Sequence, residues 1–135
     1  MTQNLDLEIK LIKRTVVKGK QDRYIQFVSK GGNRQKFIDR LSHFKDFNLD
    51  LFEKVNGNTS NKIISVLKEH KLESRNCYII SENGDIDTKT LTIADAIDEI
   101  DGYRTGTILV FGDVSMVFYE GESIKESYLS TPLVN

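Results

Sequence analysis

Apolar residues in the first 48 positions recur at three- and four-residue steps. Leu5, Ile9 and Ile12, with Leu11 and Val16 beside them, form one such stripe. Leu5, Leu7, Ile9 and Leu11 also alternate, so two periods compete here, and the helical one is favoured. After Gly19, the segment QDRYIQFVSK sets Tyr24, Phe27 and Val28 on one helical face, and RQKFIDRLSHF does the same with Phe37, Ile38, Leu41 and Phe44. A pair of helices joined through Gly31 and Gly32 is expected.

The pattern then shortens. Leu49 to Val55 reads as a strand, and NGNTSN supplies turn residues and a cap at Ser60 or Thr59. The helix that follows buries Ile63, Ile64, Val66 and Leu67. CYIIS, Cys77 to Ser81, is rich in β-formers and bounded by polar residues, as a buried strand would be. ENGDIDTKT is expected to be a loop. Thr92 followed by Asp95 resembles a capping box opening a helix with Ile93, Ala96, Ile97 and Ile100 inside and Gly102 at its end. Gly106–Phe111 and Val114–Glu120 read as a hairpin across Gly112-Asp113, whose residue order suits a type II′ turn. Ser123 to Ser130 is expected as a final edge strand, stopped by Pro132.

This order predicts one α+β domain over residues 1–135: mainly helical over 1–48, a sheet with two helices over 49–130. The sheet is expected to be mixed, with an antiparallel C-terminal meander and helices packed on it. With 135 residues, 39% hydrophobic content and one proline, such a chain is long enough to bury roughly two thirds of its unfolded surface. Cys77 is the sole cysteine, which rules out an internal disulfide and fits a reducing cytoplasm. MTQNLDLEIK lacks the basic start and apolar core of a signal peptide, and no apolar run approaches membrane-spanning length.

Charge changes the picture more than composition does. Residues 1–71 hold 15 Lys and Arg against 8 Asp and Glu, and residues 72–135 hold 4 against 12, although the whole chain nets only -1. The molecule is an electric dipole if the two parts occupy different regions of space, and is internally neutralised if they pack together.

Catalytic signatures are missing. There is no P-loop, GxGxxG or His-Glu-x-x-His. His43 and His70 are the only imidazoles. Arg40 and His43 lie one turn apart and could act together on a phosphate in a small ribonuclease-like enzyme, the alternative being a solvated helix face beside Lys36. Cys77 opens an apolar strand and reads as a structural thiol. Asn83, Asp85 and Asp87 alternate like the opening of a calcium loop, but Lys89 stands at the next ligand position and Ala94 where a bidentate Glu is needed. Neither a cofactor nor a metal is expected.

Two binding surfaces remain. An acidic one, Glu82, Asp85, Asp87, Asp98, Glu99 and Asp101 with Tyr103, suits a basic protein partner in the manner of an immunity protein, antitoxin or inhibitor. A basic one draws on Lys18, Lys20 and Arg23, and on Lys30, Gly31, Gly32, Asn33, Arg34, Lys36 and Arg40, and suits RNA or DNA phosphates. Within SKGGNRQKF, Asn33 is expected to cap a helix, leaving the Arg34 cation in the first turn against the helix dipole. That mismatch calls for an anion nearby.

The stretch CYIISENGDIDTKTLTIADAIDEIDGYRTGTILVFGDVSMVFYEGE resembles a group of small uncharacterised bacterial α+β proteins. The shared features are a strand ending in ISEN, an Asp-containing turn, a Leu-led helix and a GTIL strand leading to an aromatic-Glu hairpin. The likeness covers the C-terminal half, with fainter agreement at NRQKFIDRLSHF, and implies no activity to transfer. The chain departs from the group at VFGDVSMVF, where a cysteine and a proline-containing turn are expected.

Overall fold

The computed structural model describes residues 3–41, 44, 46–55, 59–100, 105–121 and 127–133. The helices are α1 (Leu5–Thr15), α2 (Gln21–Ser29), α3 (Arg34–Ile38), α4 (Thr59–Glu69) and α5 (Ile93–Ile100). The strands are β1 (Phe52–Lys54), β2 (Asn76–Ser81), β3 (Thr90–Thr92), β4 (Thr107–Phe111), β5 (Met116–Glu120) and β6 (Ser127–Ser130). They form one sheet in the order β1-β6-β5-β4-β2-β3. The α+β class is therefore as expected. Every pairing is antiparallel, however, where a mixed sheet was expected.

Alternation along the central strands feeds two cores. Tyr78, Ile80, Ile108, Val110, Val117 and Tyr119 face one way, onto Leu11, Ile12, Tyr24, Val28 and Phe37 of α1, α2 and α3. Ile79, Leu109, Phe111, Met116 and Phe118 face the other way, onto Ile63 and Leu67 of α4 and Ile93, Ala96 and Ile97 of α5. The sheet is thus the middle layer of an α/β/α sandwich, which is why its central strands read as continuous apolar runs. Its middle layer also separates the basic helices α1 to α3 from acidic α5. The charge asymmetry of the sequence is an asymmetry in space only in part, because α4, with Lys62 and Lys68, packs on the same side of the sheet as α5.

Several boundaries differ from the sequence reading, each for a local reason. The helix expected to run through Phe44 ends at Ile38. Beyond it the chain turns tightly, with Arg40 N donating to Phe37 O and Phe44 N to Leu41 O. Phe44 takes a positive φ of 51° and drives its ring into an aromatic cluster, 4.0 Å from the Tyr119 centroid and 4.5 Å from that of Phe47. Burial of these rings outweighs helix propensity, since aromatics carry the largest apolar payload. Leu49–Leu51 is a 3-10 turn and only Phe52–Lys54 is strand.

At the C-terminal side, β6 lies between β1 and β5, so the edge of the sheet is β1 rather than the final strand. The hairpin of β4 and β5 closes through four residues, 112–115, not two, with Phe111 opposite Met116. Gly112 (φ 62°) and Val114 (φ 58°) both adopt left-handed backbone, and Val114 is kept there by complete burial in the α1 to α3 core. The short strand β3 follows the loop of residues 82–89 and was not anticipated. At its end, Asp95 N donates to Thr92 Oγ1 at 3.2 Å, one half of the expected capping box. Thr59 and Ser60, expected as the α4 cap, are instead the first two residues of that helix, and the position before them lies outside the described residues, as does Gly102 beyond α5.

Candidate functional site

The anion that Arg34 calls for is supplied by the chain itself. On α1 the stripe that buries Leu11 and Ile12 also carries Glu8, which is 0% exposed. Glu8 accepts from Arg34 through Nε at 3.1 Å and Nη2 at 2.7 Å, from the Tyr78 hydroxyl at 2.7 Å and from Gln3 Nε2 at 2.7 Å. The other edge of the guanidinium holds Asp87, with Nη2 donating to Oδ1 at 3.0 Å and Nη1 to Oδ2. Asp87 Oδ1 also accepts from the Ser81 amide at 3.0 Å. Arg34 therefore fastens α1, α3 and the 82–89 loop to β2. Burial alone would favour the neutral guanidine, but Asp87 and Glu8 overcome it and hold the pKa above its usual value. Burial, with Glu8 adding to it, likewise raises the Tyr78 phenol.

The signal for this cluster was a carboxylate on an apolar helix face, Glu8 one turn before Leu11 and Ile12. Read by itself, α3 is only five residues long, and Asn33 makes no side-chain capping bond. Gly32 takes the turn with φ 84°, and Lys30, Gly31 and Gly32 are exposed.

Arg40 is also engaged. Its guanidinium lies 5.5 Å from the Tyr24 ring centroid and 5.3 Å from that of Phe27, and 3.6 Å from Asp46 Oδ2. Asp46 in turn accepts from the Tyr24 hydroxyl at 2.7 Å. Burial first, then Asp46, raises the Tyr24 phenol. Tyr24 has no exposed face on which a base could stack, and Phe27 is half-buried beneath Arg40 and Lys36. His43, the other member of the ribonuclease-like pair, lies outside the described residues. Lys18, Lys20, Arg23, Lys30 and Lys36 stand exposed around this helical layer.

The acidic residues separate into two groups. Glu82 accepts from the Gly106 amide at 2.7 Å and Asp87 is committed to Arg34. Asp85 is exposed, in a turn where Asn83 Oδ1 accepts from its amide at 3.0 Å. Asp98 is exposed and Glu99 half-exposed on α5, joined by exposed Asp95. Asp101 and Tyr103 lie outside the described residues. With Asn83 turned to the backbone and Asp87 to Arg34, this loop does not aim its oxygens at one point. Among the described residues, no three His, Cys, Asp or Glu side chains gather as metal ligands. Cys77 is fully buried, and that burial raises its thiol pKa.

These features define an antiparallel α/β/α sandwich with a buried guanidinium–dicarboxylate lock and an acidic helix on the far face. Among the described residues no helix is long and apolar enough to cross a membrane. The chain matches no family model, no curated protein and no solved structure at a significant level.

Proposed function

We propose that the protein is a bacterial, non-catalytic binding protein of the cytoplasm that docks a cationic protein through the solvent face of α5, in the manner of an immunity protein, antitoxin or inhibitor. The observation that carries this reading is the electrostatics of α5. Asp95, Asp98 and Glu99 share that helix with no basic residue, and the last two lie at its negative C-terminal end. Among the described residues none of the three has an ion-pair partner. Accessible carboxylates held against a helix dipole are pre-set to gain from an incoming cation, and exposed Asp85 extends the same sign of charge.

The basic layer offers less to a polyanion than its sequence suggests, because Arg34 is committed to Glu8 and Asp87 and Arg40 to Asp46. The test is co-purification of the tagged chain with a cationic protein from its native host. Capture at low salt that is lost in Asp95→Lys/Asp98→Lys supports α5 docking. Capture that survives the double charge reversal refutes it. Retention on heparin that is abolished by Lys20→Glu/Lys30→Glu, without any protein partner, would transfer the function to nucleic acid.

A further inference from the structure

A cavity of about 490 Å³ opens where β2 begins, on the α1 side of the sheet and away from the solvent face of α5. Its wall includes Asn4, Ser74, Arg75, Asn76, Thr90 and Asp113. Buried polar side chains of the described residues are all hydrogen-bonded, so the fold leaves little polar capacity unused. The Arg75 guanidinium, the Ser74 and Thr90 hydroxyls and the Asn76 carboxamide have no hydrogen-bond or ion-pair partner among the described residues. Asn4 uses Oδ1 to accept from the Leu7 amide, which leaves its NH2 group to the cavity.

Arg75 is placed there by packing. Its Cγ and Cβ lie 3.6 and 3.7 Å from where a side chain on Gly112 would begin, so its stem rests on the β4–β5 loop. The one carboxylate on the rim, Asp113, is already neutralised by Lys10. Arg14 adds positive charge beside it, donating to the carbonyls of Asp113 and Val114 at 3.2 and 2.9 Å. The rim is therefore net positive, with Arg75 as its one uncommitted fork. A guanidinium fork matches an oxyanion in geometry and charge, and cavities of about 300–1,000 Å³ suit small molecules.

We propose that this cavity binds a small oxyanion carried on a hydrogen-bonding body, a phosphomonoester or a hydroxycarboxylate. Arg75 grips the anion, while Asn76, Ser74, Thr90 and the Asn4 NH2 group hold the neutral part. The site is independent of partner docking at α5.

The experiment is a two-dimensional amide NMR titration of the full chain with inorganic phosphate, glucose 6-phosphate and citrate in turn. Saturable shifts at Ser74, Arg75, Asn76 and Gly112 are expected, and the anion giving the tighter curve identifies phosphate or carboxylate as the natural group. Arg75→Gln should weaken binding about tenfold or more, the loss of a charge-assisted bidentate contact, with the thermal midpoint unchanged. Lys10→Gln, which frees the Asp113 carboxylate at the rim, should also weaken it. Absence of saturable shifts with all three anions, or equal binding by Arg75→Gln, overturns the proposal.

Discussion

Arg34 and Glu8 stand 26 residues apart in the chain and meet in a charge pair, Nη2 to Oε2 at 2.7 Å, in which the carboxylate has no exposed surface. The buried Glu8 carboxylate has its compensating cation in Arg34. Arg34→Ala should therefore lower the unfolding free energy by about 3 kcal/mol, since it leaves a buried carboxylate uncompensated. Glu8→Gln should cost less, because the amide still accepts from Arg34 and Tyr78. Urea denaturation of the two variants measures this, and a change under about 0.5 kcal/mol for Arg34→Ala would contradict the lock. Arg34→Glu, which sets a third carboxylate beside Glu8 and Asp87, should not fold stably.

Alkaline pH should unfold the protein cooperatively. The Cys77 thiol and the Tyr24 and Tyr78 phenols are all raised, chiefly by burial, from ordinary values of 9.0 and 10.0. A raised folded pKa means that the folded state holds these protons more tightly. Their contribution is thus complete below pH 9 and is lost as pH climbs past 9 and then 10. Denaturation midpoints should be level across neutral pH and fall above it. In the same range native Cys77 should resist thiol reagents until the chain opens, and rapid labelling of the native protein would count against its burial.

Asp113 should titrate below the usual carboxylate range, because Lys10 binds its ionised form. Its stabilising effect is present above its ordinary value of 3.8 and disappears as pH falls through the folded value. An NMR titration of the Asp113 carboxyl carbon reads this directly. Lys10→Gln should move the curve up towards 3.8, and an unmoved curve would mean that the pair does not persist in solution.

Lys71→Gly should stabilise the protein by about 1 kcal/mol. Lys71 is exposed with a φ of 59° just beyond α4, where Leu72 N donates to Leu67 O and Lys71 N to Lys68 O. These two bonds form a Schellman ending, with Leu72 and Leu67 in one apolar cluster, and its left-handed position favours glycine. A raised thermal midpoint is expected, and a lowered one would mean that the lysine side chain contributes more than its backbone costs.

Periodicity located α2, α4 and α5 because each has a face in a core: Tyr24 and Val28, Ile63 and Leu67, and Ile93, Ala96, Ile97 and Ile100 are buried, with Phe27, Ile64 and Val66 partly so. Strand order was less legible. A chain that enters the sheet at its edge with β1 and returns beside it with β6 leaves no trace in local pattern. The lock was half visible. SKGGNRQKF announced an unbalanced cation, and Glu8 sat as a carboxylate in an apolar stripe, but nothing in the spacing says that residues 8, 34 and 87 converge. Acidic residues were overcounted as a surface for the same reason: Glu82 and Asp87 are spent inside the fold, whereas Asp85 and Asp98 are exposed.

The double-sided sheet also bears on how strands find their partners. In a sheet with one wet face, a one-residue slip turns carbon outward and is rejected by water. β2 and β4 are apolar on both sides, so a slipped pairing would still bury carbon on each face. The correct alignment is told from its neighbour by polar groups on each face: the Tyr78 hydroxyl on Glu8 on one side, and on the other the hydroxyl pair Ser81 and Thr107, 2.7 Å apart. In a slipped alignment these hydroxyls would face carbon instead of their partners. A few polar side chains thus act as the index marks by which two greasy strands are aligned.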